Sequence, residues 1–245
     1  MRIPRIYTAQ ELQGNTSLQL ESGPSQHVAR ALRMRAGDTL VLFNGKGGEY
    51  LANITALEKK SVVVTTGAYQ ERNLESGLHI HLGIAVSRGD RMDWVVQKAT
   101  ELGVCALTPL FTERTEVKLA GDRADKKNHH WRQVAISACE QCGRNRLPAI
   151  HPLQDLHDWL ATSEADRKFV LHHRADSVGE ASDSPTSIAL LVGPEGGLSD
   201  AEIDAAEQKG YRSLRLGPRI LRTETAPLAA IAILQARWGD MRPDA

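Results

Sequence analysis

Two loops of this 245-residue chain carry residues whose types and spacing suit chemistry. The first, Gly193-Pro194-Glu195-Gly196-Gly197, follows an apolar run at residues 188–192, and Ser199 with Glu202 then makes the Ser-x-x-Glu pattern that opens a helix. Three glycines strip side chains away and leave backbone N–H and C=O groups open to a ligand. With no Lys or Arg in the loop and with Glu195 adding negative charge, a triphosphate cradle and its lysine are disfavoured. A neutral or cationic small molecule fits better, and a plain strand-to-helix turn is the other reading. The second loop, residues 216–226, reads Leu-Gly-Pro-Arg-Ile-Leu-Arg-Thr-Glu-Thr-Ala. Thr223 or Thr225 can cap the helix that follows and Pro227 is tolerated in its first turn, which leaves the charged trio Arg219, Arg222 and Glu224 to a functional role or to a solvated loop.

Other features point to chemistry less well. Cys139 and Cys142 have redox-motif spacing but fall at the end of a helix with no second pair. His129 and His130 are adjacent, whereas helical metal ligands stand three or four apart, so no metal is expected. His172 ends a predicted strand within reach of a ligand there. Trp94, Trp131, Trp159 and Trp238 read as core anchors, because aromatic residues at 4% are too few for the stacking platforms of single-strand binders.

The elements that must position these loops are legible in outline. Residues 39–43, 50–54 and 61–66 are short β-rich runs after a helix at 27–33, which suggests a small β-barrel or meander. A polar connection at 73–77 marks a boundary, placing one domain at 1–72 and another at 73–245. From residue 78 strands at 78–86, 104–110, 169–172, 188–192 and 213–216 alternate with helices at 90–102, 126–142, 201–209 and 226–238. Such alternation predicts an α/β fold with a mostly parallel sheet covered on both faces and ligands at the carboxyl ends of its strands. The last helix is apolar over most of its circumference, so a second copy of the chain is expected to cover part of it.

Composition bounds the class. Apolar residues are 41%, charged residues 24%, and Gly and Pro number 20 and 10, as in an ordinary globular protein. No apolar run approaches the roughly 20 residues that span a bilayer. The first residues lack a secretory apolar core and the 3 cysteines cannot all pair within one chain, so a cytoplasmic protein is expected. Lys plus Arg equals Asp plus Glu at 30 each, but residues 1–72 carry 9 basic against 6 acidic side chains and residues 88–151 carry 11 against 8. Residues 152–187 reverse this with 3 against 7. The excesses are too small to establish a polyanion partner by themselves.

The two loops resemble the cofactor-loop motifs of the RsmE family, 16S rRNA uridine N3-methyltransferases of the SPOUT class. Matching motifs run along the chain: Pro4-Arg5-Ile6-Tyr7, His27 with Leu32-Arg33, Lys98-Ala-Thr-Glu-Leu-Gly103, Thr112-x-Arg114 and Glu140-Gln-Cys-Gly-Arg144. The one departure is Tyr7, where the family more often has Phe. The resemblance implies a PUA-like, RNA-binding β-barrel followed by a SPOUT domain with a C-terminal trefoil knot, working as a homodimer on 16S rRNA of the small ribosomal subunit. It implies S-adenosyl-L-methionine held by His172, Leu191, Gly193, Glu195, Gly196, Gly197, Leu216, Gly217, Ile220, Leu221 and Thr225. Phosphate contacts are expected from Arg5, Arg30, Arg33 and Arg88.

Transfer to uracil N3 needs a proton acceptor, or a cation that stabilises negative charge on the uracil carbonyls. Arg222 and Glu224 lie in the second loop, and Arg88, Arg114, Glu140 and Arg144 stand at predicted element ends. The residues alone leave open a non-catalytic RNA-binding assembly protein and a SPOUT enzyme acting on another RNA atom.

Overall fold

A computed structural model describes residues 3–58, 61–172 and 184–242. The chain divides into two compact units, residues 1–75 with 136–147 and residues 76–135 with 148–245. The segment 136–147 returns to the first unit, which no single cut in the sequence provides.

In the first unit β1 (Arg5–Tyr7), β2 (Ser17–Gln19), a short α1 (Ser22–Gln26), β3 (Thr39–Phe43), β4 (Glu49–Leu57) and β5 (Val62–Gln70) follow in order. The strands form one sheet in the order β1-β3-β4-β5-β2, with β1 parallel to β3 and the other pairs antiparallel. Ile6, Val28, Leu40, Leu42, Ile54 and Val64 fill its core. The helix expected at 27–33 is a π-helical turn, His27–Ala31, after which Arg33 takes the left-handed region at φ 54°. Arg30 and Arg33 are exposed there.

Arg5, expected to meet phosphate, is internal instead. It is 7% exposed, pairs with Glu49 and donates to Asn145 Oδ1. Asn145 in turn donates to Glu49 Oε2 at 3.1 Å and to the Arg72 carbonyl at 3.1 Å. A buried charge persists only when paired and hydrogen-bonded, so this network spends the charge of Arg5 on holding the returning segment.

The second unit holds β6 (His79–Ala85), α2 (Arg91–Glu101), β7 (Ala106–Phe111), the first part of α3 (Asp122–Cys142), β8 (Ala149–Ile150), β9 (Gln154–Asp155), α4 (Leu156–Thr162), β10 (Arg167–Leu171), β11 (Ser187–Val192), α5 (Asp200–Gln208), β12 (Arg212–Leu214) and α6 (Thr225–Trp238). The sheet order is β12-β10-β11-β6-β7-β8, β9 also pairs with β7, and every pair is parallel. The continuous apolar run of β11 follows from burial on both faces. Ile188, Leu190 and Val192 join the core with Val95, Trp131 and Ile231, while Ala189 and Leu191 join Trp159, Ile203 and Tyr211 on the other side. Gly83 on β6 permits this second layer, since a Cβ there would stand 2.6 Å from the Trp159 ring.

Trp131 and Trp159 are core anchors, and Trp238 stacks on Phe169 with centroids 6.3 Å apart. Trp94 is not an anchor: it lies 52% exposed on α2. Helix α6 buries Ala230, Ile231 and Leu234 and leaves Ile233 at 52% exposure. No helix among the described residues is long and apolar enough to cross a membrane.

Candidate functional site

At the carboxyl ends of β10, β11 and β12 a cavity of about 420 Å³ opens in the second unit. Its floor is Leu171, Val192 and Leu214, and its walls are the two glycine-containing loops. His172, Gly193, Glu195, Gly196, Gly197, Leu216, Gly217, Ile220, Leu221 and Arg114 all line it. Two residues expected among them do not. Leu191 points into the core layer beneath, because alternation along β11 sends it away from Val192. Thr225 begins α6, its N–H bonded to the Arg222 carbonyl at 2.9 Å. Thr223, Asp200 and Ala226 line the cavity and were not anticipated.

The glycines have separate reasons to be there. At Gly193 a Cβ would sit 2.9 Å from the backbone nitrogen of Leu198, so a side chain would push the loop open. Gly197 and Gly217 take φ of 69° and 75°, the left-handed region that glycine enters without steric cost. At Gly196 a Cβ would only touch Arg114 at 3.4 Å. The loop is fixed at its far end by the capping box, in which Ser199 N–H donates to Glu202 Oε2 at 2.8 Å and Glu202 N–H to Ser199 Oγ at 3.3 Å. The other Glu202 oxygen accepts the Glu113 N–H at 2.7 Å.

Charged side chains from four strand ends meet beside the cavity. Glu195 Oε1 accepts from the Arg88 N–H at 3.2 Å and from Arg91 Nη1 at 2.6 Å. Arg91 Nε also stands 3.8 Å from Glu224 Oε2, and the Arg88 guanidinium pairs with Glu116. Burial works to raise the Glu195 pKa, but the backbone N–H groups of Glu195 and Arg88 together with Arg91 outweigh it and hold the carboxyl below its ordinary value. Arg222 is exposed, and its guanidinium has no partner among the described residues. Arg91 was missed in the sequence because α2 already accounts for it as a surface cation on an amphipathic helix.

Two further candidates lie elsewhere. Arg144 and Glu140 belong to the returning segment of the first unit. Arg144 is 4% exposed with its guanidinium on Glu75, and Glu140 accepts the Tyr7 N–H at 3.0 Å. Neither lines the cavity. In that segment the Cys142 thiol beside it, together with burial, pushes the Cys139 thiol up and away from reactivity. Among the described residues no group of three or more His, Cys, Asp or Glu is placed to hold a metal ion.

The cavity therefore offers backbone groups, an apolar floor, the two carboxylates Glu195 and Asp200, and the three cations Arg114, Arg215 and Arg219. Such a mixed lining suits a small molecule with both apolar and polar parts.

Comparison with known proteins identifies the family. An RNA methyltransferase domain matches residues 74–235 and an RNA methyltransferase PUA domain matches residues 25–66. Ribosomal RNA small subunit methyltransferase E of Buchnera aphidicola (subsp. Schizaphis graminum) is 38% identical over 242 residues, 98% of either chain. The protein of that name from Bacillus subtilis is 28% identical over 97% of this chain and 96% of its own. A Legionella pneumophila methyltransferase solved with S-adenosylmethionine superposes with a TM-score of 0.95 at 43% identity, covering 98% of this chain and 100% of that one. The Neisseria gonorrhoeae ribosomal RNA small subunit methyltransferase E bound to S-adenosylmethionine gives 0.92 at 38%, covering 98% and 99%. With both of its units matched in order, this chain belongs to the RNA methyltransferase family.

Proposed function

We propose that the protein transfers a methyl group from S-adenosyl-L-methionine to N3 of a uridine in 16S rRNA of the small ribosomal subunit. The observation that carries the reading is the glycine-lined cavity at the carboxyl ends of β10, β11 and β12, with Glu195 and Asp200 among its lining residues. The cofactor supplies an electrophilic methyl on a sulfonium. Around it Gly193, Gly196, Gly197 and Gly217 present backbone groups, Leu216, Ile220 and Leu221 present apolar surface, and Glu195 and Asp200 favour the positive charge. Displacement at a methyl carbon depends mainly on alignment, which rigid strand ends supply. Glu224 and Arg222, beside the cavity, are the groups available for the N3 proton and for the charge left on uracil.

The first unit serves in this reading as a PUA-like RNA-binding domain, residues 1–72 with the returning segment, and Arg30 and Arg33 are its phosphate contacts. The second domain, residues 73–245, is of SPOUT type, with the glycine loops threaded as a trefoil knot. Two copies associate through the outward face of α6, where Ile233 is exposed. The protein works in the cytoplasm, where its substrate is made.

Nucleoside mass spectrometry of small subunits incubated with the protein and labelled cofactor tests the reaction. The expected product is 3-methyluridine. Label on a ribose, on another base nitrogen, or on no nucleoside at all overturns it.

A further inference from the structure

Next to the cofactor cavity lies a second recess of about 730 Å³, lined by Arg88, Arg91, Trp94, Glu195 and Glu224 among others. Glu195 lines both spaces, so the two meet at one carboxylate. The recess sits where the sheet order turns: β7 lies on one side of β6 and β11 on the other, and Arg88 follows β6 while Glu195 follows β11. Such a switch point is where open parallel sheets leave room for a ligand. Its lining is unusual for a surface groove. Trp94 is an aromatic side chain with 52% of its surface open, and Arg91 is held between two carboxylates at 2.6 and 3.8 Å.

We infer that this recess takes the target pyrimidine nucleotide out of its RNA stack, with Trp94 against the base, Glu224 on N3–H, and the Arg91 and Arg88 guanidiniums on the flanking carbonyls. The inference rests on the reading of the protein as a uridine N3-methyltransferase. Uracil shows an acceptor, a donor and an acceptor along its pairing edge, and the lining supplies the complementary senses: the Glu224 carboxylate, the Arg91 guanidinium 3.8 Å from it, and the Arg88 guanidinium, which an entering base would draw from Glu116. Cytosine has a lone pair at N3 and an amino group beside it, so the carboxylate and the cation each face a group of the wrong sense. Base and aromatic ring stack without regard to sequence, while the charged groups select the base. The N3 proton passes to the Glu224 carboxylate, the freed N3 pair bonds to the methyl carbon, and the methyl–sulfur bond breaks with its electrons staying on sulfur. Negative charge spreading onto the carbonyls meets Arg91 as it develops. Glu195, bound by Arg91 and by the Arg88 N–H, orients the cation rather than taking the proton.

The test uses the full-length protein, unmethylated small ribosomal subunits, and calorimetry of S-adenosylmethionine binding. Glu224→Gln is expected to lower kcat by about 100-fold and to abolish the acid limb of the pH–rate profile, with cofactor affinity within about twofold of wild type. Trp94→Ala is expected to raise KM for the subunit by about tenfold and Trp94→Phe to restore it. Arg91→Gln should lose turnover and Arg91→Lys recover part of it. Wild-type turnover and an intact acid limb in Glu224→Gln, or an unchanged KM in Trp94→Ala, overturns the recess while leaving the function standing. A fall in cofactor affinity as large as the fall in turnover for Arg91→Gln makes that residue a support for the glycine loop and removes it from the base site. Absence of methyl transfer by the wild-type protein is the separate result that overturns the function itself.

Discussion

Arg114 Nη1 donates to the carbonyl of Gly196 at 3.0 Å, and the same nitrogen reaches the Leu198 carbonyl at 3.3 Å. A side chain just after β7 thus ties down the loop after β11. Arg114→Ala is expected to weaken S-adenosylmethionine binding by about fivefold, the equivalent of about 1 kcal/mol for hydrogen bonds on a partly solvated side chain. Isothermal titration measures it, and unchanged affinity would show that the loop holds its own form.

Two neighbouring glycines should respond differently to one added carbon. Gly193→Ala places a Cβ 2.9 Å from the Leu198 backbone nitrogen, whereas Gly196→Ala meets Arg114 at an ordinary 3.4 Å. We expect Gly193→Ala to cost at least about fivefold in cofactor affinity, as overpacking by about 1–3 kcal/mol implies, and Gly196→Ala to cost much less. Equal effects in a thermal-shift titration would remove the steric argument. Gly196→Val, with its branched carbon in the cavity, should abolish binding.

Arg30 and Arg33 stand exposed on and just after the π-helical turn. Changing both to Ala should weaken RNA binding and lower the slope of log affinity against log salt by about 1 to 2. Arg5→Ala should instead lower thermal stability with little change of slope, because its charge is neutralised inside the unit. Identical slopes for wild type and the double variant would remove these residues from the interface.

His81 makes the second unit sensitive to acid. Burial, and then the charge of His151, lower its pKa to about 4, and its Nε2 lies 2.8 Å from Thr108 Oγ1. The unfolded chain, titrating near 6.5, binds a proton that the folded ring refuses, so stability is full above the unfolded value and falls as pH drops through the interval toward 4. About 2 kcal/mol should be lost between pH 7.5 and 5 through this group. Urea denaturation at the two pH values, with His81→Gln flattening the difference, measures it; an equal loss in the variant assigns the acid sensitivity elsewhere.

What the sequence disclosed depended on how local the cause was. The glycine loops were legible because close backbone approach and left-handed φ demand glycine at the position itself. The continuous run of β11 was legible because burial on two faces leaves no polar alternation. The strands β1 and β2, of 3 residues each, are too short to show a period. Leu191 was misplaced by one step of the pleat, and Arg144 and Glu140 were grouped with the site because nothing local says that Glu75 and Tyr7 N–H claim them. Arg91 was hidden by its own helix, whose amphipathic pattern accounts for any exposed cation, and Trp94 was misplaced in the core because large aromatic side chains are mostly buried, whereas here it is 52% exposed.

The segment 136–147 gives the order of synthesis a consequence. The first unit opens the chain, yet Arg5 and Glu49 find Asn145, and Glu75 finds Arg144, only after β6, α2 and β7 have been made. Strands that emerge before β6 are therefore completed by a segment made after β7, and the two units cannot mature as independent beads on a string. A fragment cut near residue 76 carries the returning segment without its cradle, so its Arg144 and Asn145 must find water where the whole chain provides carboxylates.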